Sequence, residues 1–154
     1  SLGLSTLQNE VDRAHRSGQP FVLAFVDVDA LKRVNDDGGH AAGDALLQAI
    51  AAELKSALRS YDTIVRMGGD EFVCALTNMT LEQATARARH IHIGLRRHDV
   101  AGTVSIGLAQ LRTAETLESL TARGDAELYE IKRHRLDAQP VMARHLPHAG
   151  TETG

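Results

Sequence analysis

The segment 62–77 constrains the fold most strongly, because two adjacent glycines separate two runs of β-forming residues. The runs are 63–66 and 72–76, and the junction reads Gly68-Gly69-Asp70-Glu71-Phe72. This pattern predicts a tight hairpin whose turn adopts positive φ. Two adjacent carboxylates then leave the turn. Average residue usage gives this pentapeptide odds of roughly 10⁻⁴ in a chain of this length, so the acidic hairpin is a meaningful starting point.

A glycine hairpin beside two acids has the chemistry of a nucleotide site. Glycine leaves the backbone open to the close approach of a phosphate, and carboxylates hold divalent cations. The net charge of -3 does not favour nucleic acid or an anionic membrane as the main partner. We therefore expect a nucleotide and a metal ion as ligands, with no contact to nucleic acid or to a membrane.

The size and composition fit one globular domain. The chain has 154 residues, of which 43% are hydrophobic, enough for a core without disulfide or metal staples. The single cysteine, Cys74, is compatible with a reducing cytoplasm. No apolar run approaches the ~20 residues that span a bilayer. Because the first residue is Ser1, we expect a cytoplasmic fragment of a longer protein, which could itself be membrane-attached.

Hydrophobic periodicity predicts alternating helices and strands. The pattern predicts helices near 4–14, 46–58, 81–95 and 117–131, and strands at 21–28, 63–66, 72–76 and 103–111. Residues from Asp137 onward show no periodicity and predict a flexible tail or linker. The fold class expected is α+β, an α/β sandwich with one mostly antiparallel sheet flanked by helices.

A second group of polar residues lies in the segment 27–44. Asp27 ends a buried strand, and together with Asp70 it could supply the carboxylate pair that Mg²⁺ accepts. Lys32 follows at a distance suited to neutralising phosphate charge. Asn35 and Asp44 complement guanine, because the amide can serve O6 and the carboxylate can accept from N1–H and N2–H.

Each of these residues also has an ordinary structural explanation. Acids that follow a strand are more often helix caps or turn residues, which applies to Asp29 and Asp36. Lys32 could lie on a solvated face, and Asn35 could be a turn residue. Asp44 could be an acid in the first turn of a helix, where the helix dipole favours a negative charge. Separate explanations of this kind do not account for the convergence of acids, an amide and a lysine with an acidic hairpin.

The motifs together resemble the GGDEF domains of bacterial diguanylate cyclases. Residues 27–44 are similar to the family block D-x-D-x-F-K-x-x-N-D-x-x-G-H-x-x-G-D. Val104-Ser105-Ile106-Gly107 is similar to a later strand, and Asp125-Ala126-x-Leu128-Tyr129-x-x-Lys132 to the last helix. Four motifs in the right order, between about Leu4 and about Arg135, identify the chain as a member of this family.

The resemblance implies a palm-like nucleotidyl cyclase fold and the condensation of two GTP molecules into cyclic di-GMP, with release of pyrophosphate. Each domain would bind one GTP, so catalysis would require a homodimer. Two Mg²⁺ or Mn²⁺ ions would serve each active site. The expected organisation is a helix or linker to a regulatory region at 1–17, the GGDEF catalytic domain at 18–136, and the tail at 137–154.

The resemblance also implies a role for each matching residue. Metal binding falls to Asp27, Asp70 and the carbonyl of Val28. Phosphate, guanine and backbone contacts with GTP fall to Ala30, Leu31, Lys32, Asn35, Asp44, Gly68, Gly69, Lys132 and Arg135. The catalytic set is Asp70, Glu71, Lys32 and Lys132, in which Glu71 would assist at the reacting centre, for example by deprotonating the attacking 3′-hydroxyl.

Arg59 and Asp62 form an R-x-x-D pair ahead of the hairpin, similar to the family's product-inhibition site for cyclic di-GMP. An arginine can bind guanine or phosphate bidentately, and an aspartate can accept from guanine N–H groups. The structural alternative is that Arg59 complements a helix C-terminus and Asp62 starts a turn.

Several positions depart from the family pattern. Leu31 replaces the usual phenylalanine, Gly38 replaces a common aromatic residue, and Leu136 stands where an arginine usually follows the last-helix lysine. Arg135, three residues beyond Lys132, lies on the same helix face and could substitute. The opening segment 4–10 also diverges.

The alternative functions are a catalytically weak module that binds GTP or cyclic di-GMP and regulates an attached domain, and a dimerisation scaffold.

Overall fold

The structure, a computed structural model, describes the backbone of residues 1–143 and the side chains of residues 1–135. The elements in chain order are α1 (Leu2–Ser17), β1 (Phe21–Asp29), α2 (Leu31–Gly38), α3 (His40–Ala57), β2 (Thr63–Arg66), β3 (Glu71–Thr77), α4 (Leu81–Leu95), β4 (Thr103–Gln110) and α5 (Leu117–Ala143). No helix within the described range is both long enough and apolar enough to cross a membrane.

The four strands form one antiparallel sheet in the order β2-β3-β1-β4. The buried run of β1 lies at the centre, since it pairs with β3 on one side and with β4 on the other. Its register places Asp27 opposite both Glu71 of β3 and Ser105 of β4. The predicted α+β class is confirmed, and the sheet carries the end of β1 to the mouth of the hairpin.

Helices cover both faces of the sheet, and alternate residues of β1 point into two separate cores. Val22, Ala24 and Val26 pack in a core with α3 and α4. Phe21, Leu23 and Phe25 pack in a second core that includes residues of α1 and α5. Because side chains alternate along a strand, Asp27 and Asp29 fall on the side of the sheet that α5 covers.

Helix α5 approaches the sheet closely because two small residues lie at the contact. A Cβ added to Gly107 would lie 2.9 Å from the carbonyl oxygen of Gly124, and a Cβ on Gly124 would lie 2.0 Å from Cε2 of Phe25. Larger side chains would push the helix away. This contact sets the height of the last-helix residues above β1.

The structure corrects three expectations. Neither Gly68 nor Gly69 adopts positive φ, so the hairpin does not need glycine for a left-handed turn. The stretch after Ala30 forms helix α2, which the periodicity did not predict. The tail was expected from Asp137, and helix α5 extends as far as Ala143, since a helix that is already nucleated gains one hydrogen bond for each residue added. Residues 144–154 lie outside the described range.

An ion pair between Glu115 and Arg123 braces the segment before α5. Arg123 donates to both carboxylate oxygens, at 2.8 and 2.6 Å, and also to the carbonyl of Gln110 at 2.6 Å. The hydrogen bond from Arg123 lowers the pKa of Glu115 from 4.5 to about 2. The carboxylate therefore stabilises the fold above pH 4.5, and this stabilisation is lost as the pH falls towards 2.

Replacing Glu115 with glutamine is expected to lower the free energy of unfolding by about 1–2 kcal/mol at pH 7. The difference from the parent chain should narrow as the pH falls from 7 to 3, because below about pH 4.5 Glu115 takes up a proton in the unfolded chain while the folded chain keeps the carboxylate charged. Urea unfolding at several pH values measures this difference. A gap that stayed constant down to pH 3 would contradict the low pKa.

Candidate active site

The hairpin between β2 and β3 is closed by backbone and arginine contacts. The Val28 amide donates to the carbonyl of Asp70 at 2.9 Å, which ties the turn to the end of β1. Arg66 donates to the carbonyls of Gly68 and Gly69 at 3.1 and 2.7 Å. The turn therefore holds its shape through Arg66, a residue to which the sequence analysis gave no role.

The two glycines leave space above the hairpin. A Cβ built at Gly68 or Gly69 would meet no atom within 4 Å, and neither residue has the φ that favours glycine. The fold itself would therefore accept side chains here. What glycine provides is an uncovered backbone, which a phosphate group can approach closely.

Asp27 stands at the centre of the site. Its Oδ2 accepts a hydrogen bond from the ammonium group of Lys132 on α5. Its Oδ1 is buried and has no hydrogen-bond partner among the described residues. A buried carboxylate oxygen without a partner is costly, and the cost is removed when a cation or a donor binds there.

Acidic side chains converge beside Asp27. Burial raises the pKa of Glu71, and the carboxylates of Asp125, Asp27 and Asp70 raise it further, while Lys132 opposes them. All four neighbours are thus close enough to Glu71 to act on its charge. The structure brings together the two predicted metal-binding acids and adds Asp125, which the sequence analysis quoted within a motif but gave no role.

This donor set fits a hard divalent cation. Asp27 and Asp70 offer carboxylate oxygens, and Val28 can add a carbonyl. No cluster of three or more His, Cys, Asp or Glu side chains in metal-binding geometry occurs within the described part of the chain. Mg²⁺ is commonly held by one or two carboxylates together with substrate phosphates and water, so two acids and an unpartnered oxygen suffice.

Arg135 contacts one acid of β1 and two groups of β4. Its Nη1 donates to Asp29, to the Val104 carbonyl at 2.9 Å and to the Ser105 hydroxyl at 3.3 Å. Asp29 also accepts from the Thr103 and Ser105 hydroxyls, each at 2.7 Å. Asp29 is therefore neither a cap nor a turn residue, but the centre of a network that fastens α5 to β1 and β4.

The two residues predicted to bind guanine, Asn35 and Asp44, lie on the helices after β1. Asn35 is helical, not in a turn, and its Oδ1 is buried without a partner among the described side chains. Gly43 packs directly against this side chain, since an added Cβ would lie 1.9 Å from Asn35 Oδ1. Asp44 is the next residue of α3 and is exposed, as is Lys32 of α2. Asn35 of α2 and Asp44 of α3 are therefore neighbours near the surface.

The first two residues after β1, Ala30 and Leu31, show how the chain turns there. Ala30 adopts the left-handed conformation, with φ 51°, as the N-cap of α2. Leu31 is partly buried and packs against the core that α3 and α4 share. Its replacement of phenylalanine keeps an apolar anchor under the site.

Arg59 and Asp62 form a bidentate ion pair with each other. Arg59 donates from Nε and Nη2 at 3.1 and 3.2 Å, and Asp62 also accepts from two backbone amides. The Asp62 side chain is 0% exposed, whereas Arg59 also stacks over the exposed ring of Tyr61 at 4.6 Å. Asp62 thus has a structural role, and Arg59 and Tyr61 present the accessible surface.

Comparison with known proteins agrees with this geometry. Residues 3–137 match the family model described as diguanylate cyclase, GGDEF domain. The chain is 37% identical over 142 residues to diguanylate cyclase DgcP of Pseudomonas aeruginosa, a match covering 88% of this chain and 21% of DgcP. The chain therefore spans about a fifth of that relative.

Solved structures show the same fold. The active GGEEF domain of a diguanylate cyclase from Vibrio cholerae superposes with a TM-score of 0.79 at 27% identity, covering 84% of this chain and 87% of that one. The GGDEF domain of DgcB from Caulobacter crescentus, in complex with c-di-GMP, gives 0.76 at 26% identity, covering 84% and 82%. The chain belongs to the GGDEF domain family of diguanylate cyclases.

Proposed function

We propose that this domain condenses two GTP molecules into cyclic di-GMP and pyrophosphate as half of a homodimer. The observation that carries the proposal is the buried, unpartnered Oδ1 of Asp27 beside Lys132 and the open glycine hairpin. A carboxylate poised for a cation, next to a lysine and an uncovered backbone, suits a triphosphate. The names of relatives, which include diguanylate cyclases, support the same reaction.

The protein groups divide the work between binding and chemistry. Asp27, Asp70 and the Val28 carbonyl would hold two Mg²⁺ or Mn²⁺ ions, which when bound stabilise charge on the reacting phosphate and the leaving pyrophosphate. Lys32 and Lys132 neutralise phosphate charge, and the backbone of Gly68 and Gly69 lies against it. Asn35 and Asp44 select guanine through its O6 and N–H groups.

Glu71, the residue after Asp70, is proposed to act as a proton acceptor in the reaction. Its raised pKa, caused by burial and by the surrounding acids, makes it a better proton acceptor than an ordinary glutamate. In the proposed reaction Glu71 assists at the reacting centre by taking the proton of the attacking 3′-hydroxyl. That hydroxyl belongs to the GTP held by the partner domain, so one domain supplies only half of the reacting groups.

The dimer requirement gives the direct test of this function. Initial rates of GTP conversion, with Mg²⁺ or Mn²⁺, should rise more than linearly with protein concentration, because the active species contains two domains. The product is identified as cyclic di-GMP by chromatography, and an Asp27→Asn variant run alongside should form none. A rate strictly proportional to protein, or product from the variant, would contradict the proposal.

A second candidate function is a catalytically weak module that binds GTP or cyclic di-GMP and regulates an attached domain. The engagement of Arg135 with Asp29 favours it, because Leu136 leaves no arginine at the usual position and Arg135 already has partners. Forcing a dimer with a fused coiled coil separates the two functions. GTP binding with no turnover in the forced dimer would favour the regulatory module.

We propose that product inhibition acts at the pair Arg59 and Asp62, as in the family pattern, with Arg59 as the more accessible group. Replacing Arg59 with alanine is expected to raise the concentration of cyclic di-GMP needed for half-inhibition about tenfold or more, with little change in initial rate. The variant should also lose about 1–3 kcal/mol of stability, because Asp62 is left without its partner. Arg59→Lys keeps a charge but loses the fork, and is the matched control.

Isothermal titration with cyclic di-GMP measures the effect directly, and thermal unfolding of the same samples reports the loss of stability. Unchanged affinity in Arg59→Ala would exclude an inhibitory site here and leave the ion pair with a purely structural role.

We further propose that the domain works in the cytoplasm as part of a longer chain, in which residues 1–17 link it to a regulatory region.

A further inference from the structure

A cavity lies at the free edge of β4, on the opposite side of β1 from the hairpin. We call it the β4-edge pocket, and its volume is about 310 Å³. It lies between the end of α4, the segment before β4 and the described part of α5. Its lining consists of Leu95, Val100, Gly102, Thr103, Val104 and four basic-type residues, His92, Arg96, His98 and Arg135. Two arginines and two histidines around one small cavity favour the binding of an anion.

Arg135 is held in place by the protein and still has donors to offer. All three of its contacts with Asp29, Val104 and Ser105 are made through Nη1. Its Nε and Nη2 groups have no partner among the side chains and backbone that the structure describes. A guanidinium fixed at one corner loses little freedom when its other edge binds a ligand.

Arg96 is the second donor, at the C-cap of α4. Its side chain is exposed and makes no ion pair within the described residues. Two of the three nearby acids are already engaged, whereas Asp99, which lies between His98 and Val100, is exposed and makes no ion pair within the described residues. Asp29 accepts from Arg135 and two hydroxyls, and Glu53 contacts His98 at 2.7 Å. None of the lining residues is acidic, so the two guanidinium groups are the charges that face the cavity.

The pKa of the half-buried His92 ring responds to the positive charge of the two guanidinium groups. Burial lowers its pKa, and the neighbouring Arg135 and Arg96 lower it further, while Asp29 acts in the opposite sense. Both guanidinium groups therefore act on the same imidazole. An anion bound between them would offset the repulsion and raise the pKa of His92, which supplies a readout that is independent of activity.

We propose that the β4-edge pocket binds a small phosphate-type dianion, such as inorganic phosphate or pyrophosphate, between Arg96 and Arg135. Arginine forks pair with phosphate oxygens through charge-assisted hydrogen bonds. The cavity of about 310 Å³ lies at the lower end of the range of about 300 to 1,000 Å³ for pockets of drug-sized ligands, and so has room for a phosphate or a pyrophosphate. Arg135, which the family resemblance places among the GTP contacts, lines this pocket, so we assign it to the anion and not to GTP; binding here does not depend on catalysis.

The test is an NMR titration of the His92 ring in the 154-residue chain. Phosphate or pyrophosphate at millimolar concentration should raise the pKa of His92. Arg96→Gln should weaken this binding about tenfold. Arg97→Gln is the matched control, because the adjacent arginine is exposed and does not line the pocket. Both arginines are on the surface, so both variants should fold.

Separate arms with phosphate, pyrophosphate and GTP identify the source of the dianion. A response to pyrophosphate at lower concentration than to phosphate would indicate the product of the proposed reaction, and the reverse would indicate free phosphate. A His92 signal that moves with none of them would overturn the proposal. An equal response in Arg96→Gln and Arg97→Gln would also overturn it, because the ion would then not be held by Arg96.

Discussion

Replacing Asp70 with alanine is expected to abolish cyclic di-GMP formation, with a fall in turnover of at least about 100-fold. Stabilising charge on a transferring phosphoryl group contributes several kcal/mol, and each 1.4 kcal/mol is a factor of ten in rate. The backbone carbonyl of Asp70 bonds to the Val28 amide, and alanine keeps this bond. The hairpin should therefore remain, and only the carboxylate is lost.

Initial rates in excess Mg²⁺, with thermal unfolding of the same samples, measure this loss. Asp12→Ala is a matched control, because Asp12 lies on the exposed side of α1 and, within the described residues, accepts a single side-chain hydrogen bond, from Gln8 at 2.9 Å. The expected pattern is a lost rate with an unchanged melting temperature in Asp70→Ala and no change of either in the control. Parent-like turnover in Asp70→Ala would remove this residue from the metal-binding set.

Replacing Gly43 with alanine is expected to raise the KM for GTP about tenfold or more while affecting kcat less. The new Cβ would lie 1.9 Å from Asn35 Oδ1 and 2.8 Å from Asn35 Cγ. The Asn35 side chain must therefore move, and a displaced amide would no longer meet guanine in the proposed binding mode. A lost or misplaced hydrogen bond to a buried polar edge costs enough to produce a change of this size.

The double variant Asn35→Ala/Gly43→Ala shows whether the effect passes through Asn35. If it does, Gly43→Ala should add little to the KM once the Asn35 amide is gone, because the two changes share one interaction. Alanine is also the better helix former at this position of α3, so the melting temperature need not fall. Additive effects on KM in the double variant would show that Gly43 acts by another route.

The sequence predicted the main elements because their signals are local. Apolar periodicity places α1, β1, α4 and β4 within a few residues of their observed bounds. The prediction missed α2, whose eight residues contain a single buried position, Val34, and so carry little periodicity. Glycine pairs commonly mark turns with positive φ, which Gly68 and Gly69 do not adopt; the structure instead holds this turn through Arg66.

The sequence by itself determined the residue chemistry: acids, lysines, an amide and bare backbone, in an order that identifies the family. Only the tertiary structure decided which of these groups meet. Antiparallel register brings Asp27 beside Glu71, and close packing of α5 delivers Lys132 to Asp27 and Arg135 to Asp29. The two contacts of α5 join residues about a hundred positions apart, and no local pattern encodes any of the three contacts, because they depend on how the sheet and the last helix pack.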